Sequence, residues 1–319
     1  MRGSLRRLLI IASGTVAIVV LVCLAVAAYV GWRMTHPARS YASATPASIG
    51  LAYTNVTFRS RIDDIRLSGW YIPAGRSEKT IIVVDGYAAH RLSESAAMPV
   101  VAVLVRHGFN VLTFDQRGCG SSGGDLVTLG LDEPRDVLGA VDWVRSHGGR
   151  QVQIGILAYS LGATTALEAG AQDNAGIRAI VADSALAQLY PYIVEHADRW
   201  TGLPSFPFNR LIAWITPVIT GMDAHKVDAL AAVHTMPRTA LLFIAGTDDR
   251  TISDSNSVEL FQAAATRAKA LWLVLAAVVI TGASGAYYRH RIRGITGDCL
   301  GATIQITEAA IYFTGVVLR

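Results

Sequence analysis

Ile154-Gly155-Ile156-Leu157-Ala158-Tyr159-Ser160-Leu161-Gly162 is the stretch from which the fold of this chain is read. A short apolar strand runs directly into Ala158-Tyr159-Ser160-Leu161-Gly162, and residues 163–169 follow as a helix-forming run with no loop between. Small residues two places either side of a serine let the backbone turn sharply from strand to helix. The hydroxyl is then exposed above the sheet, near the positive N-terminus of the helix. Ala158 stands where glycine is usual in such a turn. A serine that only caps an ordinary helix fits the same five residues, so the rest of the chain has to decide between the two.

The chain has 319 residues, of which 52 % are apolar and 16 % charged, a balance that points to membrane segments. The net charge is +4, and much of it comes from Arg2, Arg6 and Arg7 at the start and Arg289, Arg291 and Arg293 near the end. These arginines flank apolar runs, so they read as topology signals and not as a nucleic-acid-binding patch. The three cysteines are far apart and show neither a disulfide framework nor metal-ligand spacing. No metal and no cofactor are expected.

Residues 8–32 carry no charge and are long enough to cross a bilayer as a helix, so residues 1–34 are expected to form an uncleaved transmembrane anchor. Arginine counts on its two sides favour a cytoplasmic N-terminus and a following domain on the outer face. Residues 35–55, rich in Pro, Ala, Ser and Thr at their start, are expected to be a tether.

From residue 56 the pattern alternates between strands and helices. Residues 56–59 and 65–72 read as paired strands, 81–84 and 111–114 as fully apolar strands, and 98–106 and 134–145 as helices. Strands over 152–157, 177–181 and 241–245 complete a mainly parallel sheet covered on both faces, an α/β architecture. Residues 186–235 hold Trp200, Phe206, Phe208 and Trp214 among several prolines, and read as a cap.

Taken in order, Asp85-Gly86-Tyr87, Asp115-Gln116-Arg117-Gly118, the turn at Ser160 and Gly246-Thr247-Asp248-Asp249 resemble the α/β-hydrolase superfamily. Within it they are similar to the membrane-anchored bacterial serine hydrolases described as serine-aminopeptidase-like. The resemblance covers residues 56–274. It implies Ser160 as nucleophile, the backbone amides of Tyr87 and Leu161 as oxyanion donors, and Asp249 as the acid that orients a histidine. Asp248 and Asp249 equally suit a turn before a helix over 256–269. The family usually has histidine where Asp85 stands, and a carboxylate there would bias the oxyanion pocket unfavourably.

The family's histidine follows the last strand, expected at 271–274, but residues 275–288 contain none. His290 is the one histidine after Asp249 and sits in Arg289-His290-Arg291-Ile292-Arg293, where a basic interfacial cluster is the plainer reading of it. His90, His107, His147, His196, His225 and His234 have no matching family position and read as surface or loop residues.

Residues 275–319 change character. They consist of two apolar runs separated by Gly294-Ile295-Thr296-Gly297-Asp298-Cys299-Leu300-Gly301-Ala302, and the second run carries Gln305 and Glu308. This resembles the C-terminus of cobalamin synthase, the membrane adenosylcobinamide-GDP ribazoletransferase. The aspartate-rich segments that hold Mg²⁺ and diphosphate in that family have no upstream counterpart here, and Asp298 with Glu308 is too few oxygen ligands for a metal site. A hydrolase joined to the end of a cobalamin synthase near residue 274, by fusion or by a frameshift, accounts for both halves and for the missing histidine. The expectation is a membrane-anchored serine hydrolase of a small-molecule ester or amide, with no nucleic-acid partner and with further C-terminal spans. A catalytically dead hydrolase fold that binds a ligand, and a ribazoletransferase-like protein, are the alternatives.

Overall fold

The apolar runs join one seven-stranded sheet in the computed structural model, which describes residues 2–93, 97–149, 151–173, 176–236 and 239–265. The strands are β1 (Thr54–Arg59), β2 (Arg66–Ile72), β3 (Lys79–Val84), β4 (Asn110–Asp115), β5 (Gln153–Tyr159), β6 (Ile177–Asp183) and β7 (Ala240–Ile244). Their spatial order is β1-β2-β4-β3-β5-β6-β7. β1, β2 and β4 pair antiparallel, with Thr54 opposite Tyr71 and Ser68 opposite Asp115. From β4 onward every pairing is parallel, with Val84 beside Ala158 and Ala158 beside Ala182.

Helices cover both faces because successive side chains of a strand point to opposite sides. Ile82, Val84, Leu112, Phe114, Ile154 and Ile156 face α3 (Pro134–Gly148) and α4 (Leu161–Gln172). Their neighbours Val83, Val111, Leu157 and Tyr159 face α2 (Ala97–Arg106). A third cluster joins α5 (Leu189–Thr201), α6 (Ser205–Thr220) and Ala27 of α1 (Arg2–Thr35) to Leu161 at the start of α4. α7 (Ala229–His234) and α8 (Ser255–Ala265) complete the described chain.

Residues 36–53, read as part of a tether, are instead packed onto the body. The Arg39 guanidinium donates to the carbonyls of Gly120, Ser122 and Gly124, and Ala42, Leu51 and Tyr53 pack beside Trp70 and Ile72. Apart from one turn of 3-10 helix over Pro46–Ile49 the segment is irregular, as its composition suggests, but composition did not reveal these contacts, which are all made with residues distant in sequence. The strand expected at 271–274 and the join near 274 lie outside the described residues.

Glu168 ties the elbow helix α4 to α7, since its Oε1 accepts from the Asp228 amide at 2.7 Å. Burial pushes its carboxyl from the ordinary 4.5 up to about 7; the hydrogen bond from the Asp228 amide opposes the rise, and the Asp228 charge adds a little to it. The folded chain thus holds a proton that the unfolded chain releases between about pH 4.5 and 7, so stability from this group is lost as pH rises through that window. Glu168→Gln keeps the acceptor and cannot ionise. The variant is expected to melt like the parent at pH 5 and to be more stable at pH 8, by up to about 3 kcal/mol. Thermal midpoints at the two pH values check this.

Candidate active site

The serine stands on a backbone that ordinary residues avoid. β5 ends at Tyr159, Ser160 has φ 53° and ψ −128°, and α4 begins at Leu161. A non-glycine residue held there costs on the order of 1–3 kcal/mol, so the surroundings must impose it. They do so from both sides: the Ser160 amide donates to the Asp183 carbonyl at 2.7 Å, and the Ser160 carbonyl accepts from Ala163 N at 2.9 Å. A Cβ on Gly162 would lie 2.2 Å from the Asp85 carbonyl oxygen and 2.9 Å from that of Val84. The second residue of α4 thus rests directly on the end of β3, which only glycine permits. Ala158 is fully buried between Val84 and Ala182 of the flanking strands, where a methyl group is accommodated.

The loop after β3 carries Tyr87. Ala88 has φ 55° and Leu92 φ 58°, and the Ala89 amide donates to the Gly86 carbonyl at 3.4 Å. Asp85 organises this loop: its Oδ2 accepts from Leu92 N at 2.9 Å and its Oδ1 from Ser93 N at 3.1 Å. The carboxylate read as a liability is therefore held by two amides of the loop it precedes. Arg91 pins the loop's far end through the buried Asp115, which accepts from both its amide and its guanidinium. Neither of these uses of Asp85 and Asp115 is visible in sequence, because their partners are backbone amides or an arginine in another segment.

Tyr87 and Leu161 meet around one small cavity of about 10 Å³, lined also by Gly86, Ala88, Gln116 and Thr165. As the first residue of α4, Leu161 has no intrahelical acceptor for its N–H. Gln116 donates to the Asp85 carbonyl at 2.9 Å, while its buried Oε1 has no protein partner among the described residues. The volume suits about one water molecule. A larger cavity of about 260 Å³ lies elsewhere, between Tyr41, Asn55, Ser68, Trp70 and Arg91, and none of Tyr87, Ser160, Leu161 or Asp249 lines it.

Asp249 follows β7 in a tight turn. Its amide donates to Gly246 O at 3.2 Å, and its Oδ1 accepts from Thr251 N at 2.8 Å and Ile252 N at 3.0 Å. It is half-buried, whereas Asp248 is exposed. Tyr87, Ser160 and Asp249 thus follow the C-terminal ends of β3, β5 and β7, the sheet edge at which open α/β folds bind ligands. β6 separates β5 from β7, so the serine and the aspartate stem from strands about 10 Å apart.

Most histidines have other engagements. His36 stacks on Trp32 at 4.8 Å, His147 on Trp143 at 4.6 Å and His225 on Tyr190 at 3.6 Å, while His90 and His107 bond to the carbonyls of Arg91 and Val103. His196, expected on the surface or in a loop, is half-buried in α5, edge-on to Tyr192. Burial raises the pKa of that tyrosine, and Asp249 adds to the effect. His290 lies outside the described residues.

A mixed, mainly parallel sheet with a strained serine turn, helices on both faces and a helical insertion between β6 and β7 defines an α/β-hydrolase fold. The chain belongs to the family described as X-Pro dipeptidyl-peptidase (S15 family), whose model matches residues 43–206. Among solved structures, the esterase Pf2001 of Pyrococcus furiosus aligns with a TM-score of 0.61 and 27 % identity, over 73 % of this chain and 85 % of the esterase. Acylaminoacyl peptidase of Pyrococcus horikoshii shares the fold, with a TM-score of 0.52 and 17 % identity over 68 % of this chain and 35 % of that one. Uncharacterized protein YqkD of Bacillus subtilis is 28 % identical over 197 residues, 61 % of this chain and 63 % of that protein.

The C-terminal part matches a second family model, cobalamin-5-phosphate synthase, over residues 208–316. Adenosylcobinamide-GDP ribazoletransferase of Chlorobium chlorochromatii is 44 % identical over 48 residues, 15 % of this chain and 19 % of that enzyme. The chain spans less than two thirds of the length of these curated relatives. The two family models meet inside α6, yet residues up to 265 still build the hydrolase body: α6 packs on α1, β7 pairs with β6, and α8 packs on α7.

Proposed function

We propose that this chain is a membrane-anchored serine hydrolase that cleaves an ester or amide of a small molecule through Ser160. The observation that carries the reading is the Ser160 backbone at φ 53°, imposed where Gly162 rests on the end of β3. In the proposed reaction, Oγ of Ser160 attacks the carbonyl carbon, and the tetrahedral oxyanion accepts hydrogen bonds from the Leu161 and Tyr87 amides. Collapse expels the alcohol or amine, which takes up the proton that the Ser160 hydroxyl gave to the base, and leaves an acyl-serine ester, which water then hydrolyses. Asp249, its Oδ1 held by two amides, is the acid that would orient a base. His290 is the candidate base that follows it in the chain. An esterase among the structural neighbours above 25 % identity favours an ester over an amide. The apolar stretch Leu9–Thr35 supports the anchor by its length and composition, and the arginine bias supports an outer-face domain.

The test is labelling of the full-length protein in membranes with a fluorophosphonate probe, beside Ser160→Ala and His290→Ala. Labelling of the parent that disappears in Ser160→Ala is expected. A folded parent that takes no label would reject the enzyme in favour of the second reading, a hydrolase fold that binds without turnover. The engagements of His36, His90, His107, His147 and His225 away from Ser160 favour that second reading. A ribazoletransferase role rests on the C-terminal match. Restored cobalamin formation in a strain lacking that enzyme would establish it, and no restoration is expected.

A further inference from the structure

The last turns of α1 do not project freely from the body. A Cβ on Gly31 would lie 2.3 Å from the Thr216 Oγ1 of α6, so the two helices touch almost backbone to backbone there. Ala27 shares a buried cluster with Ile212 and Ala213 of α6, and Val30 and Met34 pack against it. By contrast residues 9–22 of α1 are all exposed.

That free stretch is too short to span a bilayer. Its 14 residues rise about 21 Å, against a hydrocarbon core of about 30 Å. A spanning helix counted from Leu9 needs about 20 residues and so runs to about Ala28. Beyond it come Tyr29 and Trp32, 63 % and 47 % exposed, and then Arg33. Exposed aromatic residues followed by arginine are what a membrane–water interface selects.

The contact of Gly31 with Thr216 carries this level across to α6. Tyr29 and Trp32 lie within about 3 Å of Gly31 along the α1 axis, and Trp214 lies within about 3 Å of Thr216 along α6. Trp214 is 64 % exposed and Val218, one turn further along the same face of α6, is 73 % exposed, so the helix presents an apolar patch there. We propose that Trp214 is seated in the phospholipid interface beside Tyr29 and Trp32, so that the cap rests on the bilayer. This rests on the reading of α1 as a membrane anchor. The cap helix α5, whose Tyr192 feels the charge of Asp249, packs against α6 and is thereby held between the candidate site and the membrane.

The experiment places the photo-crosslinker p-benzoyl-phenylalanine at Trp214, at Val16 or at Ile62 of the full-length chain. The protein is reconstituted in vesicles of phosphatidylcholine and phosphatidylglycerol, and each form must melt as the parent does. Val16 and Ile62 are 62 % and 82 % exposed, the first in the free part of α1 and the second in the β1–β2 turn. Phospholipid adducts are expected at 214 and 16 and not at 62. Adducts at 16 with none at 214, adducts at 214 to peptides of residues 266–319, or equal yields at 62 would each overturn the proposal while leaving the anchor in place. Absence of lipid adducts at 16 would remove the anchor reading itself, and the proposal with it.

Discussion

Gly162→Ala is expected to cost this protein both stability and the reactivity of its serine, although the change adds a single methyl group. The new carbon would lie 2.2 Å from the Asp85 carbonyl oxygen, 2.8 Å from its carbon and 2.9 Å from the Val84 carbonyl oxygen. All three atoms belong to the backbone of β3 and its exit, a strand hydrogen-bonded on both sides, so no side chain can swing away to make room. α4 must move back. Overpacking at such a site costs about 3 kcal/mol. The movement also separates the Leu161 amide from the loop that carries Tyr87, and a misplacement of about 1 Å at a reacting centre lowers rates about 100-fold. Thermal midpoint and the rate of fluorophosphonate labelling, measured on the same preparation, check both effects. A variant that melts normally and labels at the parental rate would show that the elbow does not depend on this contact.

The second large effect is expected from Arg117→Met, at a residue that also lines the small cavity between Tyr87 and Leu161. The Arg117 guanidinium is buried and bonds to Asp136 at 2.7 Å, to Asp63 at 2.8 Å and to the Ser60 hydroxyl at 3.0 Å. It thereby fastens the turn after β4 to the start of α3 and to the β1–β2 turn. Burial lowers the guanidinium pKa, but its bonds to Asp136 and Asp63 outweigh that and raise it, so the group stays charged. Asp136 is fully buried; burial raises its carboxyl, and Arg117 is the main influence that lowers it again. Removing the arginine leaves that carboxylate without a counter-charge, a loss of about 3–5 kcal/mol.

The sign of the pH dependence follows. In the variant the folded pKa of Asp136 lies further above the unfolded one, so the folded chain binds a proton that the unfolded chain releases. The deficit should therefore be smaller near pH 4.5 than at pH 7.5 and grow as pH rises between them. Melting curves at both pH values check it, and a combined Arg117→Met, Asp136→Leu form should recover much of the loss.

The class of the fold was legible in the chain because it rests on local periodicity. Apolar runs such as 81–84 and 111–114, too short for helices and separated by helical patterns, announce buried parallel strands, and Ser160 between small residues announces the elbow. Where each loop residue acts was much less legible. Asp85 reads as an ill-placed charge until its partners, the amides of Leu92 and Ser93, are brought to it by the backward turn of the loop. Residues 36–53 read as a tether because nothing local reveals that Arg39 meets the carbonyls of Gly120, Ser122 and Gly124.

By itself, then, the sequence determined an α/β sheet with a serine elbow, one apolar helix long enough to cross a membrane, and a C-terminal stretch similar to another family, since all three are written in short-range patterns of size and hydropathy. Only the tertiary structure decided that Gly162 must be glycine, that Asp85 serves its loop, and that α1 touches α6 through Gly31 and Thr216. The contacts of Gly162 with β3 and of Gly31 with Thr216 join segments tens to hundreds of residues apart, and that of Asp85 spans seven and eight residues but needs the backward turn of its loop, so packing and not local preference brings them together.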